Sequence, residues 1–151
     1  INGKSPDKIT YTSNYFKELY EFAIKLIKKG KAYVCHQTKD EIKKYRKEKL
    51  LSAWRNRSIE ENLKLFQDMY NGKFEERKAI LRLKGDINSN NPQMWDIKLN
   101  RIKYTSQFNS KDIKWCVYST YDYAHCIIDS IEDITYSTCI LEFEIRREIY
   151  F

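Results

Sequence analysis

Tyr121, Asp122, Tyr123 and His125 stand almost side by side in the stretch 114–126, Lys-Trp-Cys-Val-Tyr-Ser-Thr-Tyr-Asp-Tyr-Ala-His-Cys. The pattern, continued by residues 129–143, predicts a β-type run that feeds a Tyr-Asp-Tyr-Ala-His-Cys turn, then a short helix, then a second buried run that ends at Phe143. Titratable and aromatic side chains would then sit at the mouth of an α/β unit, where such folds bind ligands. The chemistry on offer is binding and positioning. Neither Asp122 nor His125 has a neighbouring Ser or Cys arranged for acyl transfer, and no paired carboxylates, His-Glu-x-x-His or Gly-x-Ser-x-Gly occurs. With Gly 4 in the whole chain, a self-contained phosphate cradle is not expected. The plainer alternative is packing, with satisfied tyrosine hydroxyls and His125 as an ordinary helix residue.

A second group of residues is basic. Lys25, Lys28, Lys29, Lys31, Lys39, Lys43, Lys44, Arg46, Lys47, Lys49, Arg55 and Arg57 face only Asp40, Glu41 and Glu48 over the same span. The formal net charge is +7. Such a surplus favours polyanions through phosphate neutralisation and counterion release. A solvated helix face would give the same pattern. Trp54, inside the basic loop 52–57, either stacks on an unpaired base or anchors the core, and the core is the favoured reading.

The elements that must position these groups follow from periodicity. Phe16, Leu19, Tyr20, Ala23, Ile24 and Ile27 predict a helix over 14–29, with Ser13 as N-cap and Gly30 as its stop. Residues 32–35 read as a strand. Thr38 and Glu41 form a capping box opening a helix to about residue 51, and Ser58 and Glu61 another, for a helix that stops near Asn71-Gly72. Residues 79–84, 101–104 and 115–118 are strand-like, 86–92 is a polar turn and 108–112 a loop. The sheet is therefore mixed or antiparallel, with helices packed on it, and the last thirty residues read as helix, strand and the start of another helix.

A length of 151 residues, 42% hydrophobic and 32% charged, suits a globular domain with one core or one plus part of another. No apolar run approaches the ~20 residues of a membrane helix, and residues 1–8 carry no signal-peptide core. The missing initiator Met, and an end at Ile149-Tyr150-Phe151 inside an apolar pattern, suggest a piece of a longer protein. Cys35, Cys116, Cys126 and Cys139 lack Cys-x-x-Cys spacing, so reduced, mostly buried thiols in a cytosol-like compartment are expected and no zinc site.

In order along nearly the whole chain, several runs resemble the glutaminyl-tRNA synthetases, a class I aminoacyl-tRNA synthetase family. They are Ile9 to Phe16, Gly30-Lys31-Ala32-Tyr33-Val34, Arg55-Asn56-Arg57-Ser58-Ile59-Glu60-Glu61-Asn62-Leu63, Gly72 to Glu76, Arg101-Ile102-Lys103, and Tyr121 to Cys126 with Cys139-x-x-Glu142-Phe143. The resemblance implies an α/β fold, part of a Rossmann-like nucleotide-binding fold with an inserted α+β acceptor-end-binding domain. Residues 1–13 would leave the first half of the nucleotide fold, 14–120 would be the tRNA-binding insert, and 121–151 would begin the second half.

The same resemblance implies ATP-dependent attachment of glutamine to tRNA, with ATP and Mg²⁺ as substrate and activator, no protein-bound metal, and a cytoplasmic, membrane-free setting. Tyr121, His125, Cys139 and Phe143 would then form part of the glutamine pocket. Ile140 and Leu141 would approach ATP, and Arg46, Lys43, Lys47, Lys49, Arg55 and Arg57 would contact the acceptor stem of the tRNA. Leu50 or Leu51 falls where the family carries an apolar wedge. Trp95 stands in place of a common Arg, Ile140 of a common Thr, and Ile145 of a polar residue. The family's two ATP-binding signatures flank this region, so no catalytic residue is expected within it and the piece is expected to be inactive alone. Glutamyl-tRNA synthetase shares the architecture, and a tRNA-binding module that has lost its chemistry is the rival from another class.

Overall fold

The computed structural model describes residues 5–104 and 116–151. The first helix, α1 (Phe16–Lys28), places Phe16, Leu19, Ala23 and Ile27 on one buried stripe. It follows a 3-10 turn, Thr12–Tyr15, that the helical spacing does not reveal. Ser13 therefore lies inside that turn and caps nothing, a correction to the expected N-cap. The helix stops because Gly30 takes φ +67, letting Gly30 N donate to Ile27 O at 2.8 Å and Lys31 N to Leu26 O at 2.9 Å. Those two bonds are a Schellman stop, and glycine is the residue that reaches its left-handed position without strain.

The chain continues as β1 (Ala32–Cys35) and α2 (Lys39–Lys47). Both halves of the expected capping box are present, with Glu41 N donating to Thr38 Oγ1 at 3.3 Å and Thr38 N to Glu41 Oε2 at 2.7 Å. The helix ends at Lys47, short of the expected 51, because Lys49 (φ 50) occupies the left-handed position and Leu50 N returns to Tyr45 O at 2.8 Å. After a 3-10 turn at Ala53–Asn56, Ser58 caps α3 (Ile59–Tyr70). Here the box is half-made: Glu61 N donates to Ser58 Oγ at 3.1 Å, but the Glu61 carboxylate pairs with Arg57 Nε at 3.1 Å.

Four strands, β1, β2 (Ile80–Leu83), β3 (Lys98–Ile102) and β4 (Val117–Ser119), form one sheet in the order β1-β2-β3-β4. It is antiparallel throughout, one of the two arrangements that the pattern left open. β3 begins before the expected strand at 101, since the apolar Ile97 and Leu99 already carry the alternation into the core. The register slips between Leu81 and Arg82, which brings Arg82 opposite Lys98. The expected loop 108–112 and residue 115 lie outside the described residues.

The helices α1, α3 and α4 (Tyr121–Ile131) bury Leu19, Ile27, Phe66, Met69 and Tyr123 against Val34, Leu81 and Leu99. Each large apolar side chain so buried contributes on the order of 1.5–3 kcal/mol. Tyr20 stacks on Phe66 with centroids 5.4 Å apart, and the Tyr123 hydroxyl donates to Leu19 O at 2.7 Å, fixing α4 on α1.

Two expectations near the end fail. The Tyr-Asp-Tyr-Ala-His-Cys segment is the first turns of α4, since Thr120 is extended and Ala124 N already bonds Thr120 O at 3.0 Å. The run through 134–143 is not buried: Ile140 is 63% exposed and Leu141 80%. Among the described residues no strand pairs with it, so its backbone closes locally, Phe143 N on Ile140 O at 3.0 Å, into the 3-10 turns Leu141–Arg146 ahead of α5 (Arg147–Tyr150). The thiols divide as well: Cys35 and Cys116 are buried, Cys126 is half-buried and Cys139 exposed. No described helix is long and apolar enough to cross a membrane.

Candidate aromatic pocket and basic groove

α4 projects Tyr121, His125 and Asp129 from one face, the i, i+4, i+8 row of a helix. The chain then returns through 137–151 and closes over that row. The Tyr121 ring lies 4.9 Å from His125 and 4.5 Å from Phe143, centroid to centroid. His125 Nε2 is 3.0 Å from Ser137 Oγ and 3.1 Å from Asp129 Oδ2. Tyr150 donates its hydroxyl to Asp129 Oδ2 at 2.8 Å and packs edge-on to His125 at 5.1 Å. Arg146 Nη1 reaches both carboxylate oxygens of Asp122, at 2.8 and 2.9 Å. Together they border a half-open cavity of about 270 Å³, lined among others by Tyr121, His125, Ser137, Cys139, Phe143 and Tyr150. That volume is near the lower end of small-ligand sites, ~300 Å³.

The cavity has rings for walls and side-chain hydroxyls for specificity. Burial first, then Cys139 and the Asp129 and Asp122 carboxylates, hold the Tyr121 phenol above its ordinary pKa. At neutral pH it is therefore a neutral group able to donate and to accept. All four residues expected in a pocket, Tyr121, His125, Cys139 and Phe143, line this one cavity. Ile140 and Leu141 do not, and stand out toward solvent. Sequence reasoning missed Ser137, Arg146 and Tyr150. The spacing of His125 and Asp129 was a usable signal, but nothing local marks the other three.

An open groove of about 710 Å³ adjoins the pocket and shares Tyr121, Asp122, Arg146 and Ile149 with it. Its remaining lining includes Lys39, Lys43, Arg46, Arg82, Lys98 and Arg101. Of the six basic residues singled out in the sequence, Lys43 and Arg46 line this groove, while Lys47 and Lys49 are exposed beyond it. Arg46 Nη2 is tethered to Trp95 O at 3.2 Å, and the Lys49 ammonium lies 5.6 Å from the Trp95 ring centre.

The other two guanidinium groups serve the fold. Arg55 donates to Asp96 Oδ1 at 3.2 Å and Gly85 O at 2.8 Å, and Arg57 to Val34 O at 3.2 Å. Trp54 is not a core anchor: it is 37% exposed, braced edge-on by His36 and covered by Arg57 at 4.3 Å. The flanking arginine and histidine, both polar, leave its ring at the surface.

No group of three or more His, Cys, Asp or Glu among the described residues could hold a metal ion. Asp122 is occupied by Arg146, and Asp129 by Tyr150 and His125. These residues do not fit Mg²⁺.

A family model described as tRNA synthetases class I (E and Q), catalytic domain, matches residues 1–151. The chain is 60% identical over 149 residues to the glutamine–tRNA ligase of Lupinus luteus, covering 99% of this chain and 19% of that protein. It is 56% identical over 149 residues to the cytoplasmic glutamine–tRNA ligase of Arabidopsis thaliana, with the same 99% and 19% coverage. It is 47% identical over 152 residues to the glutamine–tRNA ligase of Clostridium kluyveri, covering 98% and 27%. The chain thus spans about a fifth to a quarter of the length of these relatives.

Proposed function

The chain belongs to the catalytic-domain family of class I tRNA synthetases of the E and Q type, and from that membership we propose that it is the part of a cytoplasmic glutamine–tRNA ligase that holds the acceptor end of the tRNA and one wall of the amino-acid pocket. The observation that carries this reading is the placement of Tyr121. Tyr121 lines both the aromatic pocket and the basic groove, which supports reading it as the meeting point of an amino acid and an RNA terminus.

In this proposal the Tyr121 hydroxyl reads the side-chain amide of glutamine. His125, positioned by Ser137 and Asp129, forms the wall beside it, and Cys139 and Phe143 close the far side. Ile140 and Leu141, exposed in the described residues, contact the adenosine of ATP. Lys43, Arg46, Lys47 and Lys49 follow the phosphates of the acceptor stem. Arg55 and Arg57 support that surface, since their side chains tie loop 85–96 and β1 to the basic turn. Residues 14–120 act as the insert, and 121–151 open the second half of a Rossmann-like nucleotide fold that 1–13 leave.

The reaction asks mainly for positioning. ATP activates the glutamine carboxylate, and the terminal adenosine of the tRNA then takes the aminoacyl group. Holding two substrates in line lowers the barrier by restricting them before reaction, and fixed dipoles stabilise developing charge. No side chain of this chain forms a covalent intermediate.

The test is ATP–pyrophosphate exchange by the full-length protein that carries this chain, with tRNA present and glutamine and glutamate assayed in parallel. Glutamine-dependent exchange is expected. Exchange with glutamate alone would move the assignment to the sister enzyme. No exchange with either, alongside salt-sensitive tRNA binding, would leave an RNA-binding module.

A further inference from the structure

The return of the chain over α4, residues 137–151, carries Phe143 and Arg146 to the pocket with little packing of its own. Ile140, Leu141 and Ile145 stand out toward solvent, and no residue of the return is buried. A segment with few buried apolar contacts opens locally at low cost, so its polar ties decide where it sits. Most of those ties lead back to α4: Arg146 to Asp122, Tyr150 to Asp129 and Ser137 to His125. Among the described residues, the hydrogen bonds that reach the return from outside α4 both come from Asn91. Its Nδ2 donates to Ile145 O at 2.8 Å and, more weakly, to Glu148 Oε2 at 3.4 Å.

Asn91 is itself held in place. It sits on the loop between β2 and β3, whose two limbs are joined where Gly85 N donates to Asp96 Oδ1 at 2.9 Å. A Cβ on Gly85 would meet Met94 O at 1.8 Å, so the limbs touch backbone to backbone. Asn91 N donates to Ser89 Oγ at 3.1 Å, and Asn91 Oδ1 accepts from Gln93 N at 3.0 Å to open the 3-10 turn Pro92–Met94. The oxygen of the amide thus caps the loop while its nitrogen grips the return. A carboxamide is the side chain that offers an acceptor and donors at once. The carbonyl it grips belongs to Ile145, one residue before Arg146 and two after Phe143.

We propose that Asn91 is a positioning residue of the aromatic pocket. By holding Ile145 O it sets the turn that places Phe143 against Tyr121 and Arg146 against Asp122, and it makes amino-acid binding depend on the loop between β2 and β3. The inference rests on the glutamine-pocket reading above and adds a residue that touches neither the pocket nor the groove.

The experiment compares Asn91→Ser, Asn91→Asp and Asn91→Ala in the full-length protein, by ATP–pyrophosphate exchange with tRNA present. Serine and aspartate keep an oxygen that can cap Gln93 N and lose the donor to Ile145 O; alanine loses both. The serine and alanine variants should raise the glutamine KM about three- to fivefold. The aspartate variant, which faces Glu148, should raise it further. In the serine variant, kcat, the ATP KM and the tRNA Kd should stay within a factor of about two, and amide exchange should quicken over 141–150 and not over 86–94. A rise in the glutamine KM for alanine alone would reduce Asn91 to a loop cap and overturn the proposal. Equal weakening of glutamine, ATP and tRNA binding would show general loosening and overturn it as well. An unmodified protein that does not use glutamine would overturn the pocket reading and this inference with it.

Discussion

Arg146 holds both oxygens of Asp122 from a position 24 residues further along the chain, at 2.8 and 2.9 Å. The pair joins α4 to the 3-10 turns that close the pocket, and it forms the partition between pocket and groove. The Arg146 side chain is 34% exposed and Asp122 18%, so solvent screens the contact in part. Arg146→Ala should cost about 1 kcal/mol. Amide exchange should quicken over 141–150 while the protection of β2 and β3 stays as it was. Uniform loss of protection would show that the contact supports the whole fold.

Asn62, in the run Arg55-Asn56-Arg57-Ser58-Ile59-Glu60-Glu61-Asn62-Leu63, is a buried polar residue of α3. Its Oδ1 accepts from Val34 N at 2.8 Å, and its Nδ2 donates to Ser58 O at 2.9 Å and Arg57 O at 3.3 Å. Asn62→Leu fills the volume but leaves a strand N–H unpaired beside the core. A loss of about 1–3 kcal/mol in urea unfolding is expected, with the slope of the transition unchanged. A neutral outcome would mean that Val34 N finds another acceptor.

The Glu41 carboxylate is held below its ordinary pKa, first by the backbone N–H of Thr38 and then by its hydroxyl. Glu132 is lowered in the same way, first by the Tyr15 hydroxyl and more weakly by Lys8. A depressed folded-state pKa adds stability that is complete above the unfolded value, about 4.3. It is lost as pH falls through the folded value. Thermal melts should therefore show an acid limb below about pH 4.3, and Glu41→Gln with Glu132→Gln should flatten it. An unaltered limb would place the acid-sensitive carboxylates elsewhere.

Tyr121→Phe keeps the ring that packs on His125 and Phe143 and removes only the hydroxyl. In the full-length protein, the glutamine KM should rise about tenfold. The ATP KM should stay within a factor of two or so. An unchanged glutamine KM would remove Tyr121 from amide recognition and leave it a packing role.

Local chemistry was legible in the sequence. Gly30, Gly72 and the Thr38–Glu41 box act through bonds three to five residues apart, and each ends or starts a helix where the composition placed it. β1 was legible because four consecutive buried apolar residues follow a glycine stop. The run 134–143 misled because β-type composition describes a surface that suits pairing, and pairing is supplied by distant residues. Half of the pocket was hidden for the same reason. Ser137, Arg146 and Tyr150 arrive by the return of the chain onto α4, which no local spacing encodes. The groove was hidden because Arg82 and Lys98 sit in strands 16 positions apart in number and become neighbours only through the slip after Leu81.

Lys49 ends α2 in the left-handed conformation, φ 50, where Gly30 and Gly72 end α1 and α3. A side chain there carries strain of order 1 kcal/mol. Selection for thermal tolerance alone would drive this position toward glycine, with Lys49→Gly expected to raise the melting temperature by a few degrees. Selection for RNA affinity would hold the ammonium beside Trp95. Under the proposed acceptor-stem role of Lys49, durability and recognition would pull residue 49 in opposite directions, and directed evolution under each pressure in turn should toggle it.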